Sequence, residues 1–315
     1  PLKLENKAYA QDHKAVEVVY GEEKYLMDLT LDLYLIQNEF QTKHFGFTTD
    51  MENTYDIIPI SLVKKMDKNI GIEKETNQDS VLLKTGNYKN YNIAFSVVCD
   101  GMGGLSDGEL ASAHVVTKLS DWFDNKLIDF LDDEVRWDEI RKNLESIIVE
   151  LNRQLFSYGK RNHSNLGTTI TGILIINNHY MVINVGDSRT YLVNKGIRQI
   201  TEDQSLVARE VKMGKMTWEE AEYDKRRNVL LQCIGATQNV EIEVYEGETG
   251  SEDGFLLCSD GFRHEISARE IFEGLELDKC ETDGDIEEKL KYLVEVNKQR
   301  KESDNITAVV IKPGK

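Results

Sequence analysis

Buried strands and amphipathic helices follow one another along most of the chain. Residues 92–99, NIAFSVVC, form a short apolar run with β-branched residues, which is typical of a buried strand. The apolar positions then take helical spacing, first from Glu109 to Leu127 and again from Trp137 to Leu155. The pattern therefore predicts one buried strand followed by two helices, each with one apolar face.

Three further strand-like runs follow these helices: TTITGILII, HYMVINVG and RTYLVN. The connections between them are short, at residues 177–178 and at residues 187–188. A parallel crossover needs a dozen residues or more, so we expect antiparallel pairing rather than a doubly wound nucleotide-binding sheet. Residues 254–261 and 305–311 predict two more buried strands, and residues 285–300 predict a third helix.

Two segments carry no chemical motif of their own. Residues 1–65 have a turn-like Gly21-Glu22 between apolar runs, and we expect an N-terminal extension or small subdomain of unknown role. Residues 201–228 are polar and are predicted to be helical in pieces. One principal domain, residues 66–315, then contains the clear strands and helices.

Composition and charge narrow the class of protein. The chain has 315 residues, of which 40% are hydrophobic and 30% charged, and its net charge is −18. Such a surface repels the phosphates of nucleic acids and anionic lipids, so we expect neither nucleic acid nor membrane as a main partner. The four cysteines form no CxxC pair, and no apolar run is long enough to span a bilayer. These features predict a protein of the reducing cytoplasm.

The glycine-rich segment after the first buried strand has two competing interpretations. Asp100, Gly101, Gly103 and Gly104 lie between that strand and the next helix, where a phosphate cradle or a metal site would fit. A dinucleotide fingerprint would need a third glycine at Ser106, and a P-loop would need a lysine that is absent, so the cradle is disfavoured. The sequence also has no GxSxG nucleophile motif and no histidine cluster for zinc.

Aspartates recur at the ends of the apolar strands: Asp79, Asp100, Asp187, Asp260 and Asp304. Any one of them is explained as a turn residue, because its side chain bonds to nearby backbone. Five that converge would repel one another unless they were protonated or bridged by cations. Oxygen ligands favour Mg²⁺ or Mn²⁺ over zinc, so the alternative to ordinary turns is a divalent metal site.

Six motifs occur in an order that resembles the metal-dependent protein phosphatases, the type 2C serine/threonine family. They are NQDS, VVCDGMGG, GTTITGIL, VGDSRTYLV, LLCSDGF and SDNITAVVI, and the resemblance covers about residues 66–312. Residues 213–221, MGKMTWEEA, are similar to the flap of the bacterial branch. The resemblance implies an α+β fold, a sandwich of two antiparallel β-sheets flanked by α-helices, with metal ions at one edge and a flap near residues 201–228.

The resemblance also implies a ligand set for two Mn²⁺ or Mg²⁺ ions. Asp100 would bridge the ions, and the backbone carbonyl of Gly101 would bind the first. Asp260 and Asp304 would bind the second, while Asp79 would act largely through ordered water. The glycine is expected here because it leaves its carbonyl free to turn to the metal.

A third, weaker ion is also implied, held by Asp187 together with Asp260. Arg189, two residues after Asp187, is expected to form a structural ion pair rather than a substrate contact.

Three positions depart from the family pattern. Lys74 stands where the family usually has an arginine that grips substrate phosphate, and it could bind phosphate without the bidentate fork or be an ordinary surface lysine. Gln78 replaces the glutamate of the first motif, which puts a direct role for it in doubt. Met102 stands where some members have a histidine proposed as general acid.

The implied activity is hydrolysis of phosphoserine and phosphothreonine by a water or hydroxide that two metal ions share. Asp100 and Asp260 would be the catalytic residues. The implied partners are phosphoproteins, including a serine/threonine kinase or its substrates. A pseudophosphatase, with the fold kept as a binding module, is the rival hypothesis, and the complete set of aspartates argues against it.

Overall fold

The computed structural model describes residues 77–103 and 107–312 in full, with the backbone of four strands within residues 3–69. Lys74 and most of the expected extension lie outside the described residues. The first three of these strands pair as an antiparallel sheet of their own: β1 (Lys3–Ala8), β2 (Lys14–Tyr20) and β3 (Glu23–Asp28). The role of the extension and its boundary at residue 65 stay predictions.

The other strands belong to the principal domain. In chain order they are β4 (Val63–Asn69), β5 (Ser80–Tyr88), β6 (Tyr91–Cys99), β7 (Gly101–Gly103), β8 (Leu166–Thr168), β9 (Ile170–Ile176), β10 (His179–Val185), β11 (Arg189–Val193), β12 (Ile197–Gln199), β13 (Glu243–Glu248), β14 (Gly254–Cys258) and β15 (Ile306–Lys312). The helices are α1 (Asp107–Asn125), α2 (Trp137–Asn162), α3 (Leu206–Lys212), α4 (Trp218–Glu222), α5 (Ala268–Leu275) and α6 (Asp283–Gln299). Within the described part of the chain, no helix combines the length and the apolar character that crossing a membrane requires.

Two five-stranded antiparallel sheets form the centre of the domain. One has the strand order β13-β10-β9-β6-β5, and the other has the order β12-β11-β14-β15-β4. A short ladder joins β7 to β8, with Gly101 opposite Thr168. The flanking helices complete the α+β sandwich that the sequence predicts, so the predicted fold class is confirmed.

The hydrophobic side chains of the described residues form three clusters that define the layers. One cluster lies between the sheets and combines Ala94 and Val98 of β6 with Phe255 of β14 and Val309 of β15. A second packs the first sheet against α1 and α2, and a third packs the second sheet against α5 and α6. The layers therefore run helices, sheet, sheet, helices, as two-layer burial of each sheet requires.

Strand β6 shows how the sequence produces this arrangement. Phe95 and Val97 join the cluster below α1 and α2, whereas Ala94 and Val98 join the cluster between the sheets. This is the alternation expected of a strand. Because both faces are covered, every residue from Ile93 to Cys99 is buried, which explains the unbroken apolar run.

The helices predicted from residues 109 and 137 are confirmed as α1 and α2. The apolar periodicity does not predict the shorter α5. Its start nevertheless carries a capping box, because Ser267 Oγ accepts a hydrogen bond from the Glu270 N–H and the Glu270 carboxylate accepts one from the Ser267 N–H.

The connection at residues 187–188 differs from the prediction. Strands β9 and β10 form the expected hairpin, with Asn177 in the left-handed region at φ 54°. Strand β11, however, pairs with β14 in the other sheet and not with β10. Gly186, at φ 105°, turns the chain between the layers. The prediction of antiparallel pairing across this connection is therefore wrong, since a short link can also join two facing sheets.

Candidate active site

Strand ends of the first sheet bring two of the aspartates together. Strand β5 begins beside the end of β6, because Ser80 pairs with Cys99. Asp79 precedes β5 and Asp100 follows β6, so the antiparallel register places both at the same edge. Strand β10 ends at that edge too, and Asp187 follows it after one glycine.

The second sheet contributes two more aspartates in the same way. Strand β14 ends beside the start of β15, since Cys258 pairs with Ala308. Asp260 follows β14 in a short 3₁₀ turn, and Asp304 precedes β15. The Gln78 N–H donates a 2.8 Å hydrogen bond to Asn305 Oδ1, which joins the edges of the two sheets.

Asp79 is fixed by donors from the second sheet. Its Oδ2 accepts a hydrogen bond from Ser259 Oγ at 3.1 Å and from Thr307 Oγ1 at 2.5 Å. The residue is 1% exposed, so these contacts hold a buried carboxyl in one orientation. Asp79 is thus a bridge between the sheets as well as a candidate for the site.

Asp100 lies at the centre of the group of carboxyls. Burial raises its pKa well above the ordinary value, and nearby negative charge raises it further. The residues that supply this charge are, in decreasing order of effect, Asp79, Asp260, Asp304 and Asp187. The other four predicted aspartates therefore all lie within electrostatic reach of Asp100, which the sequence alone could only suggest.

Crowding at the loop after Asp100 explains its first glycine. A Cβ on Gly101 would lie 2.2 Å from the carbonyl oxygen of Gly108 and 2.4 Å from that of Gln78. These are backbone atoms of α1 and of the segment before β5, so no side chain fits between them. Gly103 takes φ 149°, which favours glycine where the chain turns toward α1. The requirement for glycine at residue 101 is thus close packing, in addition to any contact of its carbonyl.

Two residues that the sequence interpretation did not single out support Asp260. His264 Nε2 lies 3.4 Å from Asp260 Oδ2, and His264 Nδ1 lies 3.6 Å from Glu302 Oε2. The other Glu302 oxygen accepts a 2.8 Å hydrogen bond from the Asp304 N–H. Burial works to raise the pKa of Asp260, but His264 and Arg263 outweigh it and hold that pKa below its usual range.

Asp187 lies beside a buried network of two arginines. Arg263 Nη2 is 3.4 Å from Asp187 Oδ2, and burial with the Asp260 charge raises the pKa of Asp187 to about 7, a rise that Arg263 limits. Arg189 forms two hydrogen bonds, of 2.8 and 2.7 Å, to the Asp203 carboxylate. The prediction that Arg189 makes a structural ion pair is confirmed.

The donor chemistry of this edge suits a hard divalent cation, although the oxygens are not arranged as ligands. Within residues 77–103 and 107–312, no three His, Cys, Asp or Glu side chains are grouped in a way that could hold a metal ion. Asp260 Oδ1 is buried and has no hydrogen-bond partner among the described residues. A cation would satisfy that oxygen and relieve the repulsion around Asp100, so the residues fit Mg²⁺ or Mn²⁺ in chemistry.

The predicted flap is attached next to Asp187. The Gln204 N–H donates to the Gly186 carbonyl at 3.0 Å, and Gln204 Oε1 accepts from the Gly186 N–H at 2.8 Å. Ser205 pairs with Leu230 where the segment leaves and returns. Between them lie α3 and α4, so the prediction of a segment that is helical in pieces is confirmed. Three of its apolar side chains are exposed: Met213, Trp218 and Tyr223.

Several bacterial phosphatases are similar in sequence to this chain. The sequence model of the family Protein phosphatase 2C matches residues 72–304. The serine/threonine phosphatase stp of Listeria monocytogenes is 31% identical over 219 residues, or 68% of this chain and 82% of that protein. The protein phosphatase PhpP of Streptococcus pneumoniae is 30% identical over 246 residues, or 77% of this chain and 94% of that protein.

Solved structures agree with the sequence matches. The serine/threonine phosphatase Stp1 from Staphylococcus aureus superimposes with a TM-score of 0.69 at 27% identity, covering 87% of this chain and 99% of that one. The catalytic domain of the serine threonine protein phosphatase PstP, solved with two manganese ions, gives a TM-score of 0.65 at 26% identity and covers 81% and 99%. The six ordered motifs, the sandwich and these matches lead to one conclusion: the chain belongs to the protein phosphatase 2C family.

Proposed function

We propose that this chain is a serine/threonine protein phosphatase that depends on Mn²⁺ or Mg²⁺ and hydrolyses phosphoserine and phosphothreonine. The observation that carries the proposal is the group of carboxyls around Asp100, drawn from the ends of both sheets. Their mutual repulsion is the expected property of a site that divalent cations complete. The manganese ions in PstP support the choice of metal.

Four of the aspartates would have distinct parts in holding two ions. Asp100, with the carbonyl of Gly101, would contact the first ion and would also reach the second. Asp260 and Asp304 would complete the second, and Asp79 would orient water beside the pair. When bound, the ions supply a water of lowered pKa as the nucleophile and offset the charge of the phosphoryl group.

The protein's own contacts prepare these residues for that task. Ser259 and Thr307 hold Asp79 in a fixed orientation, which reduces the reorganisation needed when substrate arrives. His264 keeps Asp260 in its ionised form, the form that binds cations. Burial and the neighbouring carboxylates raise the pKa of Asp100, so a cation would compete with a proton there, and metal affinity should rise with pH.

The substrates and the location are proposed from the chemistry of the residues and from the similarity to bacterial phosphatases. Phosphoproteins are the substrates, and a serine/threonine kinase or its targets are among them. Lys74 is proposed to contact the substrate phosphate, with the single positive charge of a lysine in place of a forked guanidinium. All four cysteines are buried and free, which supports a reducing compartment such as the cytoplasm.

Hydrolysis of a phosphothreonine peptide tests the proposal. Phosphate release should occur with Mn²⁺ or Mg²⁺ and stop with chelator, and Asp260→Asn or Asp100→Asn should abolish it. Asp133→Asn, at an exposed position outside the site, is the matched control and should retain activity. Turnover in the presence of chelator would overturn the metal dependence, and no turnover with either metal would favour a binding module.

A further inference from the structure

Arg263 is directed at Asp187 from the turn that follows Asp260. Its Nη2 donates a hydrogen bond to the Asp187 main-chain oxygen at 3.0 Å and lies 3.4 Å from Asp187 Oδ2. The two side chains are 12% and 7% exposed, so water contributes little to this contact. The guanidinium therefore contacts both the backbone and the carboxyl of the same residue.

A second carboxylate, that of Asp203, also lies near Arg263. Asp203 Oδ2 lies 3.6 Å from the same nitrogen, which is farther than either atom of Asp187. Both oxygens of Asp203 already accept hydrogen bonds from Arg189. Arg263 thus lies near both aspartates, but its hydrogen bonds go to Asp187, whereas Asp203 accepts its hydrogen bonds from Arg189.

A cation beside Asp187 has a consequence for metal binding. The resemblance of the motifs implies that Asp187 and Asp260 hold a third ion. A divalent ion bound there would lie close to the guanidinium and would be repelled by it in a site that solvent screens poorly. It would also have to take Asp187 Oδ2 from an existing partner.

We infer that Arg263 supplies, from within the chain, the positive charge beside Asp187, so that the site binds two divalent ions and Asp187 ligates none. The inference rests on the proposed function, because it presupposes the two ions held by Asp100, Asp260 and Asp304. Asp187 is then a positioning residue, which fixes the Gly186 turn and the attached flap against the turn that carries Asp260.

The number of bound Mn²⁺ ions tests the inference without any activity measurement. The chain is dialysed against increasing Mn²⁺, and the number of bound ions per chain is obtained from the free Mn²⁺ that electron paramagnetic resonance measures. Two ions are expected for the unaltered chain, for Asp187→Asn and for Arg263→Lys, which keeps the charge. Three are expected for Arg263→Gln, because the carboxyl of Asp187 is released. Arg269→Gln, which removes an exposed guanidinium paired with Glu273, is the control and should bind two.

The outcomes separate this inference from the proposed function. Three ions in the unaltered chain, falling to two in Asp187→Asn, would overturn the inference and leave the two-ion centre intact. Two ions in a folded Arg263→Gln would also overturn it. If that variant does not fold, the comparison of the unaltered chain with Asp187→Asn still decides. No bound Mn²⁺ in the unaltered chain would overturn the proposed metal centre itself.

Discussion

The hydroxyl of Thr307 joins one sheet to Asp79 beside the other, and Thr307→Val tests what that contact contributes. Valine keeps a buried β-branched shape but removes the donor that lies 2.5 Å from Asp79 Oδ2. A hydrogen bond to a charged group contributes about 1.5–3 kcal/mol, and one between neutral groups about 0.5–1.5 kcal/mol. We therefore expect the free energy of unfolding to fall by about 2 kcal/mol. The kcat should fall as well, because one of the donors that orient Asp79 is gone.

Urea unfolding in the presence of chelator, followed by circular dichroism, measures the stability change without metal. The matched control is Thr171→Val, since Thr171 Oγ1 lies 2.8 Å from Thr190 Oγ1, a neutral partner in the facing sheet, and both are buried. The control should lose about 1 kcal/mol and keep its phosphopeptide hydrolysis. Equal losses for the two variants, or full activity in Thr307→Val, would refute the role given to the Asp79 contact.

Three further changes probe the same edge of the sandwich. Gly101→Ala would place a methyl group 2.2 Å from a backbone oxygen. We therefore expect the free energy of unfolding in urea to fall by at least about 3 kcal/mol and most phosphatase activity to be lost. A stable, active variant would contradict the close packing at residue 101. Arg189→Met leaves Asp203 without its bidentate partner, so the free energy of unfolding should fall by about 3 kcal/mol while the KM stays unchanged. A raised KM at full stability would instead indicate that Arg189 contacts the substrate. Burial raises the pKa of Asp187 from 3.8 to about 7, so its stabilising protonation is complete below pH 3.8 and is lost as the pH rises through 7. The free energy of unfolding of the metal-free chain should therefore fall over that pH range, by about 4 kcal/mol at most. In Asp187→Asn the free energy of unfolding should depend less on pH. An unchanged profile in that variant would contradict the assignment.

The local spacing of apolar residues was enough to predict most of the strands and helices that form the layers of the sandwich. The apolar run at residues 92–99 and the helical spacing from residue 109 depend only on neighbouring residues, and β6 and α1 confirm both. Aspartate at strand ends indicated the candidate site for the same reason, because antiparallel register places alternate strand ends at one edge.

Contacts between distant residues could not be read from the pattern. Thr307 and Ser259 reach Asp79 across 228 and 180 positions, and Arg263 reaches Asp187 across 76. The short connection at residues 187–188 predicts antiparallel pairing, because spacing alone does not distinguish a hairpin from a link between facing sheets. The residues that tune the site were missed on this account, although the charged run after Asp260, in DGFRHE, was visible in the sequence.

Anomalous diffraction from crystals of the chain grown with Mn²⁺ would locate the proposed ions themselves. We expect two manganese peaks at the edge of the sandwich, one between Asp100 and the Gly101 carbonyl and one between Asp100, Asp260 and Asp304. Manganese bound elsewhere, or no manganese within ligand distance of these aspartates, would contradict it.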